Sequence, residues 1–227
     1  MGKHKSNDSN HSFPIERAIA LVEEMVVQWE EPVVSQMVKL ERSPFKVLVA
    51  TLLSLRTRDE QTRIAAPRLL ALADNPHDMV KVPVEAIEEA IRLVGFYHVK
   101  ARTVLECCQA LLDRHGGQVP NDLETLLALP GVGRKTANLV LTEGFGLPGI
   151  CVDTHVHRIS NRWGYVETNT PEETEMVLRS KLPQHHWIRY NYLLVAFGQN
   201  LCRPQSPHCS RCTLQPFCPA LGVERKR

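Results

Sequence analysis

Four cysteines close to the C-terminal end, Cys202, Cys209, Cys212 and Cys218, constrain this chain more than any other feature. They follow the pattern C-x6-C-x2-C-x5-C within seventeen residues, with Pro204, Pro207, Pro216 and Pro219 between and after them. A proline-rich loop does not continue as helix or sheet, and its four thiols suit one inorganic centre. Two centres take four thiolates, a [4Fe–4S] cubane and a structural zinc ion. Zinc sites usually present two separate C-x2-C pairs. Here only Cys209 and Cys212 form a close pair, with one cysteine on each side. The asymmetry favours iron–sulfur and leaves zinc as the alternative. A disulfide framework is disfavoured. The 227-residue chain shows no secretory segment, and its other cysteines, Cys107, Cys108 and Cys151, lie in apolar stretches where thiols are inert.

Hydrophobic residues make up 43% of the chain, enough for a substantial core, yet no apolar run approaches the length of a membrane span. The net charge is only +2, but it is unevenly spread. From Lys181 onward seven basic residues face one acid, Glu224, so that segment carries +6 and the remainder −4. A basic surface of this kind fits a nucleic-acid backbone as readily as it fits a solvated tail. The first twelve residues, MGKHKSNDSNHS, are polar and aperiodic, and are expected to be disordered. With no hydrophobic leader and no Arg-rich amphipathic presequence, a reducing cytoplasm is the expected compartment, and a monomer the expected state.

From Pro14 the chain reads as a series of helices. Ile15, Ala18, Ile19, Val22 and Val26 recur with helical spacing. Ser43-Pro44 supplies a cap and a first-turn proline for the apolar segment Phe45 to Leu55. Helical patterns continue over 58–73, 84–93, 99–115 and 123–127, and Thr170-Pro171-Glu172-Glu173 reads as a capping box. No alternating strand pattern interrupts them, so the expected class is all-α.

A second motif lies within LLALPGVGRKTANLVL, residues 126–141. Two helical patterns flank Pro130-Gly131-Val132-Gly133, a helix–hairpin–helix spanning about residues 122–144. Lacking side chains, Gly131 and Gly133 let the backbone approach a DNA phosphate, with N–H groups of the following helix directed at it. Such a hairpin indicates sequence-independent DNA contact, not catalysis. Chemistry enters with Lys135, in the first turn of the following helix, where the dipole disfavours an ammonium. A neutral amine is a nucleophile, and partial burial would promote it. The other role open to Lys135 is phosphate binding. Asp153, in Cys151-Val152-Asp153-Thr154-His155, reads as the cap of a helix over 154–163 that could also present one oxygen to a developing cation. His155, His157, His185 and His186 look ligand-like, but neighbours two apart on a helix diverge, and no second metal is expected.

These elements, LPGVGRKTAN, VDTHVHR and the four-cysteine loop in that order, resemble the endonuclease III family of helix–hairpin–helix DNA glycosylases. The resemblance extends from about Pro44 to Cys218. It implies a helical barrel domain over 37–147 and an iron–sulfur domain from 13–36 plus 148–227, its cluster loop at 202–218, with DNA in the cleft between. It further implies a [4Fe–4S] cofactor and a bifunctional glycosylase/AP lyase acting on double-stranded DNA with oxidised pyrimidines or abasic sites, in the nucleoid of a bacterial cytoplasm. Lys135 would attack C1′ and Asp153 would stabilise the developing positive charge. His155 would touch the lesion pocket, and Phe96 would wedge between bases of the opposite strand. The sequence departs from the family at Arg56, where glutamine is typical and the residue fills the gap left by the flipped nucleotide. Arginine pairs bidentately with guanine, so a preference for lesions opposite guanine is expected. The alternatives are a monofunctional mismatch or adenine glycosylase, in which Lys135 would be another residue, and a non-catalytic DNA-binding module.

Overall fold

The computed structural model describes residues 13–29 and 43–227, and every regular element among them is helical. The expected disordered segment 1–12 and the expected domain boundary at 36–37 lie outside the described residues. In chain order the helices are α1 (Ile15–Val26), α2 (Pro44–Ser54), α3 (Asp59–Leu72), α4 (Pro76–Met79), α5 (Val84–Ala90) and α6 (Tyr97–His115). They are followed by α7 (Leu123–Leu127), α8 (Arg134–Leu139), α9 (Thr154–Arg162), α10 (Pro171–Lys181) and α11 (Trp187–Asn200). Among the described residues no helix is long and apolar enough to cross a membrane.

Local chemistry accounts for most of the boundaries. Ser43 Oγ accepts from Lys46 N ahead of the proline that opens α2. Gly116, at φ +58, closes α6, and its N–H donates to Leu111 O in the six-residue bond of a Schellman end, with Gly117 N donating to the same oxygen at 3.0 Å. Thr170 caps α10 through Glu173 N. The reciprocal arm of the box is shifted by one residue, because Glu173 Oε2 accepts from Asn169 N at 2.8 Å. Beyond α8 the chain loosens into a π-helical stretch, Val140–Gly144, where Thr142 Oγ1 donates to Asn138 O at 2.8 Å. Helix α11 goes beyond the elements expected from the sequence. Tyr190, Leu193, Leu194 and Phe197 give it one buried face.

The buried apolar residues fall into two cores. One runs from Phe45 to Leu141 and joins α2 through α8. The other gathers α1 with residues 150–214, so the N-terminal helix packs beside α11 instead of its sequence neighbours. Trp163, Tyr190 and Phe197 are its largest fully buried members. Phe13 seals one edge, stacked on Trp163 with centroids 5.2 Å apart.

A buried carboxylate bridges the two cores. Glu175 on α10 is 3% exposed and accepts from Arg134 Nε and NH2 at 3.0 and 2.9 Å. Arg179 donates to the same carboxylate at 3.0 Å and to Asn138 Oδ1 on α8 at 3.1 Å. Burial acts to raise the Glu175 pKa, but the two arginines outweigh it and hold the group below its ordinary value. A depressed folded-state pKa means that this stabilisation is full above the unfolded carboxylate range and lost as pH falls through the folded value. Glu175→Gln should lower unfolding free energy by about 3 kcal/mol at pH 7, because two guanidinium groups lose their charge partner. Urea titration at pH 7 and pH 4 checks both statements, with the gap to wild type narrowing at the lower pH.

Candidate active site and cysteine loop

Helices α7 and α8 are joined by the hairpin at residues 128–133. Leu129 and Val132 are buried beneath it, and Val132 N donates to Leu129 O at 3.2 Å. The two glycines are there for different reasons. Gly131 has φ +74, and a Cβ on it would lie 2.3 Å from Thr103 Cγ2 of α6, so the fold itself demands glycine. Gly133 has an ordinary φ of −95, and a Cβ on it would meet nothing within 4 Å. Nothing among the described residues requires a bare backbone at Gly133. Gly131→Ala should therefore destabilise the protein by about 2 kcal/mol or more. Gly133→Ala should melt within a few degrees of wild type but bind duplex DNA more weakly. Thermal denaturation paired with fluorescence anisotropy separates the two.

Lys135 projects from the first turn of α8 and Asp153 from the start of α9, bringing Nζ within 3.9 Å of Oδ2. Asp153 divides its two oxygens. Oδ1 accepts from His155 N and Val156 N, both at 2.9 Å, and Oδ2 faces Lys135. The segment leading to Asp153 is fixed from both sides. Cys151 Sγ lies 3.7 Å from Lys135 O, and Asn191 Nδ2 donates to Cys151 O at 3.1 Å. Asp153 is 10% exposed and Lys135 39% exposed, so the lysine is more open than a nucleophile prepared by burial would be.

The histidines separate. His155 turns its ring toward Arg158, with Nδ1 3.1 Å from NH2, and lies so close to Gly198 that a Cβ there would overlap it. Burial lowers its pKa, while Asp153 acts in the opposite sense. His157 Nδ1 meets Thr174 Oγ1 at 2.7 Å. His185 and His186 face Glu16 instead, with His186 Nε2 2.8 Å from its carboxylate, tying α1 to the turn before α11. Glu16 is a partner that the sequence pattern did not reveal.

Arg56 and Phe96 are brought together at the other side of the hairpin. Both have left-handed backbone, at φ 52 and 58, unusual for side chains of this size. Phe96 is 66% exposed. Arg56 is exposed and makes no side-chain hydrogen bond or ion pair among the described residues. A cavity of about 330 Å³ opens between these two side chains and Gly131. Lys100 closes its floor and was missed by sequence reasoning. Its one visible signal is a lysine among the inward positions of α6, Ala101, Val104 and Cys108. It is 8% exposed, and burial pushes its pKa down to about 8. An unfolded lysine titrates near 10.4, so between about pH 8 and 10.4 the unfolded chain binds the extra proton and stability rises with pH. Relative to Lys100→Met, wild type should gain on the order of 2 kcal/mol across that window. Urea midpoints of both proteins at pH 7 and pH 9.5 measure it.

The four loop cysteines border a single cavity of about 50 Å³ walled by Trp163, Phe197 and Leu201. All seven cysteines are free thiols, which removes the disulfide framework. Cys202 ends the turn after α11, where Arg162 NH1 lies 3.5 Å from its sulfur and Arg158 NH2 donates to its carbonyl at 3.0 Å. Burial raises the Cys212 thiol to about 11, so the deprotonated form needs a cation beside it. Among the described residues, the one trio of ligand atoms lying mutually within 4.8 Å is Glu16, His185 and His186. No three of the sulfurs are therefore that close. The four thiols lining one cavity are a donor set that fits a metal centre.

Fold and hairpin together define a helix–hairpin–helix DNA-repair protein. Residues 49–184 match the HhH-GPD superfamily of base excision DNA repair proteins; the chain belongs to it and, within it, to the endonuclease III family. It is 48% identical over 178 residues to endonuclease III of Thermotoga maritima, covering 78% of this chain and 84% of that one. With endonuclease III of Escherichia coli K12 it shares 37% over 176 residues, 78% and 83% of the two chains. Among solved structures it superposes on a trapped endonuclease III–DNA covalent intermediate, an estranged-adenine complex. The TM-score is 0.80 at 36% identity, covering 90% of this chain and 93% of that one. A thermostable thymine-DNA glycosylase shares the fold, with a TM-score of 0.77 at 22% identity.

Proposed function

We infer that this chain is a bifunctional DNA glycosylase and AP lyase of base excision repair. The observation that carries the inference is Lys135 Nζ at 3.9 Å from a helix-capping Asp153, on a hairpin inside the segment that matches the HhH-GPD family, in a chain similar to relatives named endonuclease III. One solved neighbour is a covalent complex with DNA, as a nucleophilic side chain predicts. In this reading the damaged nucleotide turns out of the stack into the cleft between the two cores. The Lys135 amine bonds to C1′ while the C1′–N bond breaks, its electron pair leaving with the base. The nitrogen sheds a proton and the C1′–O4′ bond opens, giving an imine. Removal of a C2′ proton then expels the 3′ phosphate and cuts the strand. Asp153 Oδ2 stabilises the positive charge that builds on the sugar and assists the proton transfers, while Oδ1 keeps the carboxylate aimed. The monofunctional alternatives need no amine at position 135.

Gly131, Gly133 and α8 hold the phosphate backbone. Arg56 and Phe96 enter the duplex, and His155 lines the edge of the pocket. Oxidised and ring-saturated pyrimidines are the proposed substrates, since a poorly stacked base costs less to extrude. Cys202, Cys209, Cys212 and Cys218 would hold a [4Fe–4S] cluster, which supplies a cross-link that shapes the basic C-terminal loop. Arg162, bonded to Arg203 O and Pro204 O at 2.6 Å each, braces that loop from α9.

Lys135→Gln should abolish strand cleavage and borohydride trapping on abasic DNA, with DNA affinity within a few fold of wild type. Undiminished cross-linking would sink the assignment. Asp153→Asn keeps an acceptor for both capping N–H groups, so it should fold and bind damage while losing most excision. Protein purified under nitrogen should be yellow-brown with about four irons per chain. One zinc and no colour would favour the other metal. For Arg56, the ratio of excision opposite guanine to that opposite adenine should fall in Arg56→Gln.

A further inference from the structure

Lys100 occupies a position that opposes its own charge twice. It lies in the first turn of α6, the positive end of that helix, and it is buried. What retains it is its contacts. Nζ donates to Leu53 O at 2.6 Å and to Thr57 Oγ1 at 2.7 Å. Leu53 O is one of the last carbonyls of α2, which have no partner within the helix and carry its negative end, so the ammonium acts there as a C-terminal cap. Leu53 and Thr57 also flank the turn that presents Arg56. One side chain therefore straps both sides of that turn.

The helix that carries the strap also meets the second DNA-facing turn. Lys100 N donates to Phe96 O at 3.0 Å, and a Cβ on Gly95 would lie 3.3 Å from Arg56 O. The turns that carry Arg56 and Phe96 thus meet backbone to backbone. Each holds a non-glycine residue in left-handed conformation, which persists only where the surroundings impose it. Thr103, one turn further along α6, receives Gly131 of the hairpin. The first two turns of α6 are consequently the common support of all three elements.

We propose that Lys100 is a positioning residue that fixes the Arg56 turn against Phe96, so that the two side chains enter the duplex together at a set separation. This rests on the glycosylase reading above and adds to it the residue through which discrimination of the opposite base is held. Lys100 itself touches neither the sugar nor the base. Removing its ammonium frees the Arg56 turn, and Arg56 then loses its registry with the gap it fills.

The test compares wild type, Lys100→Met, Arg56→Ala and the double variant in single-turnover excision of one oxidised pyrimidine opposite guanine and opposite adenine. Borohydride trapping on single-stranded abasic DNA, where there is no gap to fill, is measured alongside. Lys100→Met should slow excision from duplex at least tenfold and move its guanine-to-adenine ratio to that of Arg56→Ala. Its trapping on single strands should stay within twofold of wild type. The double variant should be no slower than Arg56→Ala by more than twofold, because both changes remove one function. An unchanged ratio in Lys100→Met, or multiplying losses in the double variant, would overturn the proposal and leave Lys100 as a helix cap. Should Lys100→Met fail to fold, Thr57→Val removes one of the two acceptors and must shift the ratio in the same direction. Absence of trapping by wild type would overturn the lyase reading instead, separating the two failures.

Discussion

Glu175 carries a charge at 3% exposure, and a buried charge persists only when opposite charges and hydrogen bonds surround it. Its partners are Arg134 from the hairpin helix and Arg179 from its own helix, and Arg179 in turn donates to Asn138 on α8. Arg134 directly precedes Lys135, and α10 packs on α9, whose first residue follows Asp153. The distance between the proposed nucleophile and its carboxylate is therefore fixed by a clamp that touches neither. Apolar packing dominates inside each core; the polar clamp sets one core against the other with a directional geometry that packing lacks.

Economy of polar groups recurs through the site. Asp153 satisfies two N–H groups of α9 with one oxygen and keeps the second for Lys135. Lys100 closes the end of α2 and spans the Arg56 turn with one ammonium. Arg162 braces the cysteine loop through two carbonyls and lies near the Cys202 sulfur. Each of these groups ends or joins a helix, where unpaired backbone donors and acceptors concentrate. In an all-helical protein such ends are the natural place for charge, and the proposed chemistry is built from them.

Most helices were legible because their signals are local. Ser43-Pro44, Thr170-Pro171 and Gly116-Gly117 mark ends through caps and glycine, and apolar spacing fills the interiors. The hairpin and the cysteine loop are written in short spacings, whereas the roles proposed for Lys135 and Asp153 come through the resemblance to the endonuclease III family. Helix α11 was not, since its start, after two histidines, carries no side-chain cap and the tryptophan there gives no boundary. Nor was the separate meaning of two glycines two positions apart. Gly131 answers to Thr103, twenty-eight residues away, and Gly133 to nothing among the described residues.

The sequence by itself determined the helical class, the hairpin, the lysine and aspartate of the proposed site and the four thiols, because each is written in residues close along the chain. Tertiary structure decided which of these meet. It brought Lys135 to Asp153 across the two cores and gathered the four loop cysteines around one cavity. It also made α1 part of the C-terminal core and turned Lys100 inward beneath Arg56. Those outcomes depend on burial and on hydrogen bonds between residues tens of positions apart, and periodicity along a chain records neither.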